Sequence, residues 1–199
     1  MMNLTTICLN QTPLDWNGNH NRIKEAIKKC QSQNSTIACF PELTITGYGC
    51  EDFFLSPDVH QKALDQLFKL LPDTKNLFLS IGLPITFKDK RYNAVAIIAN
   101  QTLLGFVCKK VLANTGIHYE HRWFSPWTVG NCEQIKIKNK SYPIGDFMVN
   151  LNGIRIGFEI CEEAWIEDRI AKQLAQQGVD IILNPSASHF AFGKRKKRE

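Results

Sequence analysis

The sequence lacks several features that mark other classes of protein. None of its apolar runs approaches the roughly 20 residues that a membrane-spanning helix needs. The opening residues MMNLTTICLNQ lack the basic segment and long apolar core of a secretion signal. No glycine-rich phosphate-binding loop occurs, so we expect no ATP site in this chain. These absences favour a soluble protein without a membrane partner.

A disulfide framework and a zinc site are also not indicated. Seven cysteines are scattered along the chain, at positions 8, 30, 39, 50, 108, 132 and 161. Their number is odd and no C-x-x-C pair occurs, which is typical of reduced thiols in a cytoplasmic protein. His118, His121 and Cys132 do not supply four ligands at a recognised zinc spacing, so we predict no metal.

The excess of positive charge is confined to one short segment. The formal net charge is +5, but residues 194–198 are five consecutive basic residues. Without residues 194–199, 19 basic and 18 acidic side chains remain. Nucleic-acid binding usually needs a basic patch across a face, so we predict no nucleic-acid partner.

The pattern of apolar residues predicts one α/β domain over residues 1–199. The predicted strands are 4–9, 35–40, 76–83, 92–99, 102–108, 133–138, 144–151, 154–160 and 179–184. The predicted helices are 18–31, 57–71 and 164–177. The pairs Asn100-Gln101 and Asn152-Gly153 indicate two hairpin turns. We therefore expect a mixed sheet with helices packed on it.

Two strand ends carry polar residues that could be catalytic. Glu42 follows the strand at 35–40, and Lys109 and Lys110 follow the strand at 102–108. Functional side chains of α/β domains often lie at the carboxyl ends of strands, where loops converge. The alternatives are a surface carboxylate at Glu42 and two solvated lysines.

A third strand end carries Cys161, in the stretch GFEICEEAW. The strand turns directly into the helix predicted from Ala164, so the thiol lies at a strand-to-helix corner, as in a nucleophile elbow. The two acids that follow disfavour a thiolate, whereas Lys109 would balance their charge. A buried structural cysteine and a pairing of Cys161 with His189 are the alternatives. With Glu42 as base, Cys161 as nucleophile and Lys109 as cation, the three residues form a plausible acyl-transfer set.

Four motifs resemble those of the nitrilase superfamily, and more narrowly the glutaminase domain of glutamine-dependent NAD synthetases. They are PELTITGYGCEDFF (41–54), KKVLANTGIHYEHRWFSPW (109–127), ICEEAW (160–165) and NPSASHFAFGK (184–194). The resemblance extends from residue 4 to the C-terminus. The HYEHRWF stretch and a tryptophan four residues after the cysteine are more specific than the Glu-Lys-Cys order alone.

The resemblance implies a four-layer α-β-β-α sandwich and a reaction in which L-glutamine is hydrolysed to glutamate and ammonia. By position, Glu42 is the general base, Lys109 the oxyanion-stabilising cation and Cys161 the nucleophile that forms a thioester. Glu120 corresponds to an acid that orients the lysine. The positions that contact the amino-acid end of glutamine correspond to Glu162, Ser188 and Lys194. Lys194 replaces an arginine of some relatives, and an ammonium cannot form the bidentate arginine contact.

The same resemblance implies further strands and a synthetase domain after residue 199, where ATP and magnesium would bind. We therefore expect a fragment or a shortened gene product, with the C-terminal part of the domain missing and an open sheet edge that favours homo-oligomers. The family's ammonia feeds NAD synthesis on that separate domain. Two alternatives remain, namely a stand-alone amidase acting on another small amide and a non-catalytic truncated remnant.

Overall fold

The described part of the chain, residues 2–189, 191–194 and 196, contains ten strands and three α-helices in this computed structural model. The strands are β1 (Leu4–Thr6), β2 (Ile37–Cys39), β3 (Phe78–Phe87), β4 (Lys90–Ala99), β5 (Thr102–Cys108), β6 (Cys132–Ile137), β7 (Lys140–Gly145), β8 (Val149–Leu151), β9 (Ile154–Phe158) and β10 (Ile181–Leu183). The helices are α1 (Trp16–Ser32), α2 (Pro57–Leu70) and α3 (Ile170–Gln176). Short 3-10 turns lie at Glu51–Leu55, Leu71–Asp73, Glu120–Arg122 and Cys161–Ala164.

The strands form two sheets of unequal size. The large sheet has seven strands in the order β1-β2-β3-β4-β5-β7-β6, and the small sheet has three in the order β10-β9-β8. In the large sheet β1, β2 and β3 are parallel, β3, β4 and β5 form an antiparallel meander, and β5 is parallel to β7. Strands β2 and β5 therefore run in the same direction, and their carboxyl ends lie at the same edge.

The two sheets lie between helices, and the alternation of side chains along a strand decides which core cluster each residue joins. Ala38 and Leu79 belong to a core cluster with α1 and α2, whereas Ile37 and Val95 belong to a second cluster with residues of the small sheet. Successive residues of a strand point to opposite faces, so the central strands β2, β3, β4 and β5 contribute to both clusters. Helix α3 covers the far side of the small sheet, where a Cβ at Gly157 would lie 2.9 Å from the Leu174 side chain. The predicted α-β-β-α order of four layers is confirmed.

Both predicted hairpin turns are present. Asn100 and Gln101 join β4 to β5 with φ of 43° and 69°, and Asn152-Gly153 joins β8 to β9 with φ of 51° and 91°. These left-handed conformations match the right-handed twist of the paired strands. The prediction of one strand over 144–151 is wrong, because the chain leaves the large sheet after β7 and enters the small sheet at β8.

The helix predicted at 164–177 begins later, at Ile170. Residues Cys161–Ala164 instead form a 3-10 turn, and the side chain of Glu159 accepts a hydrogen bond of 2.9 Å from the backbone of Ala171. That carboxylate, at the end of β9, fixes where α3 starts. The expectation that the N-terminus of this helix lies beside the Cys161 thiol is therefore wrong.

Among the described residues, no helix is both long and apolar enough to span a bilayer.

Candidate active site

Glu42 lies on a loop that folds back over the large sheet directly after β2. The backbone N–H of Gly82 in β3 donates to the carbonyl of Pro41 at 3.3 Å. A Cβ at Gly82 would lie 2.2 Å from the nitrogen of Leu43, so only glycine lets the loop approach this closely. The Glu42 side chain is fully buried in consequence, and the alternative of a surface carboxylate is wrong.

Lys109 follows β5 and is buried between two carboxylates. Its Nζ donates to Glu42 Oε1 at 2.5 Å and to Glu120 Oε2 at 2.7 Å. Glu120 begins the turn Glu120–Arg122 and accepts a further bond of 2.7 Å from the backbone N–H of Ala113. The structure therefore brings together the base, the cation and the accessory acid that the sequence predicts.

Asn93, which no sequence motif singled out, bridges the same two carboxylates. It lies in β4, and its Nδ2 donates to Glu42 Oε1 at 2.7 Å and to Glu120 Oε1 at 3.1 Å. An amide NH₂ supplies two donors, so one side chain can satisfy both acids. Asn93 thus holds the two carboxylates at a fixed separation without adding charge.

The charges of this cluster shift one another's titration. Burial lowers the pKa of Lys109, but the Glu42 and Glu120 carboxylates outweigh it and raise that pKa above its ordinary value. Burial and the charge of Glu42 raise the pKa of Glu120, and Lys109 opposes that rise. One ammonium is shared by two buried acids, so Lys109 remains a cation at every pH of physiological interest.

Cys161 comes to this cluster from the small sheet, just after β9. Its φ of 46° is left-handed, and its N–H donates to the carbonyl of Pro185 at 3.1 Å. The Ser186 hydroxyl donates to the Cys161 sulfur at 3.3 Å, and the N–H of Ala187 donates to Glu42 Oε2 at 3.4 Å. The segment after β10 thus contacts both the thiol and the carboxylate and keeps them adjacent.

The resting thiol of Cys161 is held in its neutral form. Burial, followed by the charge of the nearby Glu42 carboxylate, raises the pKa of Cys161 to about 12, although Lys109 and Ser186 oppose the rise. A thiol must lose its proton to become a strong nucleophile. In this arrangement the proton has an acceptor at hand in Glu42, so deprotonation can accompany attack instead of preceding it.

We expect titration of the free chain to reveal no Cys161 thiolate at neutral pH. A pKa of about 12 leaves roughly one thiol in 10⁵ ionised at pH 7. Because the pKa is raised, the thiolate form gains population only as the pH rises into the alkaline range. The measurement is the ultraviolet thiolate absorbance of the chain minus that of Cys161→Ser. A difference signal with a midpoint near neutral pH would contradict this expectation.

A cavity of about 300 Å³ opens at Cys161. Its wall includes all three residues predicted to bind substrate, namely Glu162, Ser188 and Lys194. The Lys194 ammonium donates to the Ser188 hydroxyl and to the carbonyl of His189. These three residues give the cavity an acid, an ammonium and a hydroxyl beside the thiol, and its volume is within the range of small-molecule sites. Of the basic run 194–198, residues 195, 197 and 198 lie outside the described residues.

A hydrogen-bonded chain connects the wall of this cavity to Glu120. The Tyr48 hydroxyl donates to Glu120 Oε1 at 3.0 Å, so His118 Nδ1, at 3.2 Å, must donate to the Tyr48 oxygen. His118 Nε2 is then the acceptor for His189 Nδ1 at 2.9 Å. Burial and the neighbouring His189 lower the pKa of His118, which favours the neutral form of its imidazole. His189 therefore directs Nδ1 at His118, a role that no sequence pattern indicated.

Lys110 and Glu163 form a second buried cluster. The Lys110 side chain is fully buried, and its Nζ lies 3.1 Å from Asp146 Oδ1 and 3.7 Å from Glu163 Oε2. The alternative that both lysines are solvated is wrong. From the sequence, Glu163 is only a negative neighbour of the thiol. In the fold, its carboxylate faces Lys110 and two backbone N–H groups.

Comparison with known proteins agrees with this geometry. The family model for carbon–nitrogen hydrolases matches residues 4–198. The glutamine-dependent NAD(+) synthetase of Mus musculus is 34% identical over 98% of this chain and 28% of its own length. That of Dictyostelium discoideum is also 34% identical, over 98% of this chain and 29% of its own length.

Solved structures agree as well. A glutamine-dependent NAD(+) synthetase from Cytophaga hutchinsonii superposes with a TM-score of 0.91 at 40% identity, over 99% of this chain and 32% of its own. An amidase of the nitrilase superfamily from Nesterenkonia shares the fold, with a TM-score of 0.76 at 17% identity over 98% of this chain and 69% of its own. The chain spans less than a third of the length of the synthetases that it matches. The resemblance drawn from the motifs is confirmed, and this chain belongs to the carbon–nitrogen hydrolase family.

Proposed function

We propose that this chain is a glutaminase domain that releases ammonia from L-glutamine through a thioester on Cys161. The observation that carries the proposal is the cluster of Cys161, Glu42 and Lys109 beside a cavity whose wall includes Glu162, Ser188 and Lys194. The similarity to glutamine-dependent NAD(+) synthetases, which extends over nearly the whole chain, supports glutamine as the substrate.

The first half of the reaction forms the thioester. The Cys161 sulfur attacks the side-chain amide carbon of glutamine while its proton passes to Glu42. The negative charge that develops on the amide oxygen is stabilised by the Lys109 ammonium, which Glu120 holds in place. Glu42 then gives the proton to the amide nitrogen, the C–N bond breaks, and ammonia leaves.

The second half of the reaction releases glutamate. Water attacks the thioester carbon and transfers a proton to Glu42, so the same carboxylate acts as base a second time. The tetrahedral species again places its oxyanion against Lys109. When the C–S bond breaks, Glu42 returns the proton to the sulfur, and the resting neutral thiol is restored.

The charges of the cavity suit the amino-acid end of glutamine. We assign the ammonium of the substrate to Glu162, and its carboxylate to Ser188 and Lys194, because these groups line the cavity beside the thiol. Lys194 already donates to Ser188, so the two side chains form one site for an anionic oxygen. A simple aliphatic amide carries neither charge and leaves these groups without a ligand.

The remaining partners follow from the relatives. We propose that the ammonia is used by an NAD synthetase domain, in the same or another polypeptide, and that ATP and magnesium bind on that domain. A cytoplasmic location and a homo-oligomer remain part of the proposal. Within the described residues, no group of three or more His, Cys, Asp or Glu side chains could hold a metal ion. The absence of a cofactor in this domain stays a prediction.

We expect the chain to prefer glutamine over uncharged amides such as propionamide by at least about 100-fold in kcat/KM, because sites that bind polar groups strongly reject analogues lacking them. The measurement is ammonia release with each substrate. Lys194→Met should raise KM for glutamine and reduce the preference. Equal turnover of the two amides would favour a stand-alone amidase. A wild-type chain with no turnover, whose Cys161 also resists a glutamine-mimicking electrophile, would favour a non-catalytic remnant.

A further inference from the structure

Glu163 lies two residues after the nucleophile and is completely buried. Its two carboxylate oxygens accept from two different segments of the chain. Oε2 accepts from the backbone N–H of Ile160 at 2.6 Å, and Oε1 accepts from the backbone N–H of Lys110 at 2.5 Å. One side chain therefore joins the segment after β9 to the segment after β5.

The two N–H groups belong to the immediate neighbours of reacting residues. Ile160 directly precedes Cys161, and Lys110 directly follows Lys109. The two segments belong to different sheets, so no ladder of backbone hydrogen bonds connects them. The Glu163 carboxylate is thus a direct link between the backbone that carries the thiol and the backbone that carries the ammonium.

The charge of Glu163 is matched locally. Lys110 Nζ lies 3.7 Å from Glu163 Oε2 and also contacts Asp146. Burial raises the pKa of Glu163, while Lys110 and the two N–H donors act in the opposite direction. Because the Lys110 ammonium balances the negative charge of the Glu163 carboxylate, the Lys109 ammonium keeps Glu42 and Glu120 as its partners.

We propose that Glu163 is a positioning residue that sets the distance between the Cys161 thiol and the Lys109 ammonium. We call its two backbone contacts, with Ile160 and Lys110, the Glu163 brace. The proposal rests on the proposed function, because the distance affects turnover through the contact between Lys109 and the oxyanion formed at Cys161. A misplacement of about 1 Å in such a site lowers the rate by up to about 100-fold.

The test is Glu163→Gln, which preserves shape but leaves only one oxygen acceptor for the two N–H groups. We expect kcat for glutamine to fall by at least about tenfold while KM changes by less than about threefold, since reaction geometry is affected more than binding. Glu163→Asp retains the charge but withdraws the carboxylate by about 1.5 Å, one C–C bond. Glu163→Asp should show the same loss of kcat. If Glu163→Gln does not fold, Glu163→Asp alone tests the positioning role.

Glu159→Gln is the matched control. Glu159 is also a buried acid at the end of β9, and it contacts Arg169 and the backbone of Ala171 instead of the lysine segment. We expect it to lower the free energy of unfolding yet keep kcat within about twofold of wild type, since it does not bridge the two sheets. A structural effect alone would lower kcat equally in both variants.

The outcomes separate the brace from the proposed function. A wild-type chain that hydrolyses glutamine, with a folded Glu163 variant of unchanged kcat, overturns the brace alone. An equal loss of kcat in Glu159→Gln also overturns it. If the wild type does not hydrolyse glutamine, the proposed function fails. The brace is then judged by the rate at which iodoacetamide alkylates Cys161, which the Glu163 variants must lower and Glu159→Gln must not.

Discussion

Cys161→Ala is expected to abolish ammonia release from glutamine while leaving the fold intact. Removing the nucleophile eliminates the thioester route, and losses of about 10⁴-fold or more are usual for such residues. The structural cost is small because the side chain is short and uncharged and alanine tolerates the φ of 46° no worse than cysteine does. We expect the free energy of unfolding to change by about 1 kcal/mol.

Cys39→Ala is the control for the loss of a buried thiol. Cys39 ends β2 and packs in the same core cluster as Cys161, between the two sheets. It should lose a similar amount of stability and retain turnover. Ammonia release, the unfolding transition and mass spectrometry of a trapped acyl-enzyme measure the outcome. Turnover retained in Cys161→Ala would reject the assigned nucleophile.

Lys109→Met is expected to lose both activity and stability. The ammonium contacts two carboxylates, and all three side chains are buried. Removing one partner of a buried ion pair leaves an uncompensated charge and typically costs about 3–5 kcal/mol. Loss of the cation that faces the oxyanion should reduce turnover by about 10³-fold or more. Denaturant unfolding and the glutaminase assay measure the two effects separately.

A double variant separates unfolding from lost chemistry. Lys109→Met combined with Glu120→Gln removes one of the two stranded charges, so it should recover part of the free energy of unfolding. Turnover should remain lost, because the oxyanion still lacks its cation. Recovery of activity along with stability would mean that Lys109 serves the fold alone. Near-normal turnover in the single variant would remove Lys109 from the mechanism.

Local sequence patterns predicted well where the three proposed catalytic residues lie. Glu42, Lys109 and Cys161 each follow a strand, and strand direction brings the ends of β2 and β5 to one edge. The turn residues Asn100-Gln101 and Asn152-Gly153 were identified because their backbone preference is local. Two further hairpin turns were missed, at Lys88-Asp89 between β3 and β4 and at Lys138-Asn139 between β6 and β7, although all four residues have positive φ.

What the sequence did not reveal depends on contacts between distant segments. Asn93 looks like one polar residue in an apolar strand, and its role appears only when Glu42 and Glu120 lie beside it. Glu163 looked like a second unfavourable charge near the thiol, because its donors lie on the Lys110 and Ile160 backbones. The start of helix α3 was predicted too early. The periodicity of apolar residues does not reveal the hydrogen bond from the Ala171 backbone to the Glu159 carboxylate, which fixes where the helix begins.

The division of the strands between a large and a small sheet has a consequence for the stage of folding at which catalytic activity arises. Glu42 and Lys109 follow strands of the large sheet and Cys161 follows a strand of the small sheet, so neither sheet alone carries all three residues of the proposed reaction. The proposed reaction therefore requires that the two sheets dock. Hydrolysis of glutamine would therefore report the docking of the two sheets. It would be absent from a folding intermediate that has secondary structure but whose sheets are not yet packed together.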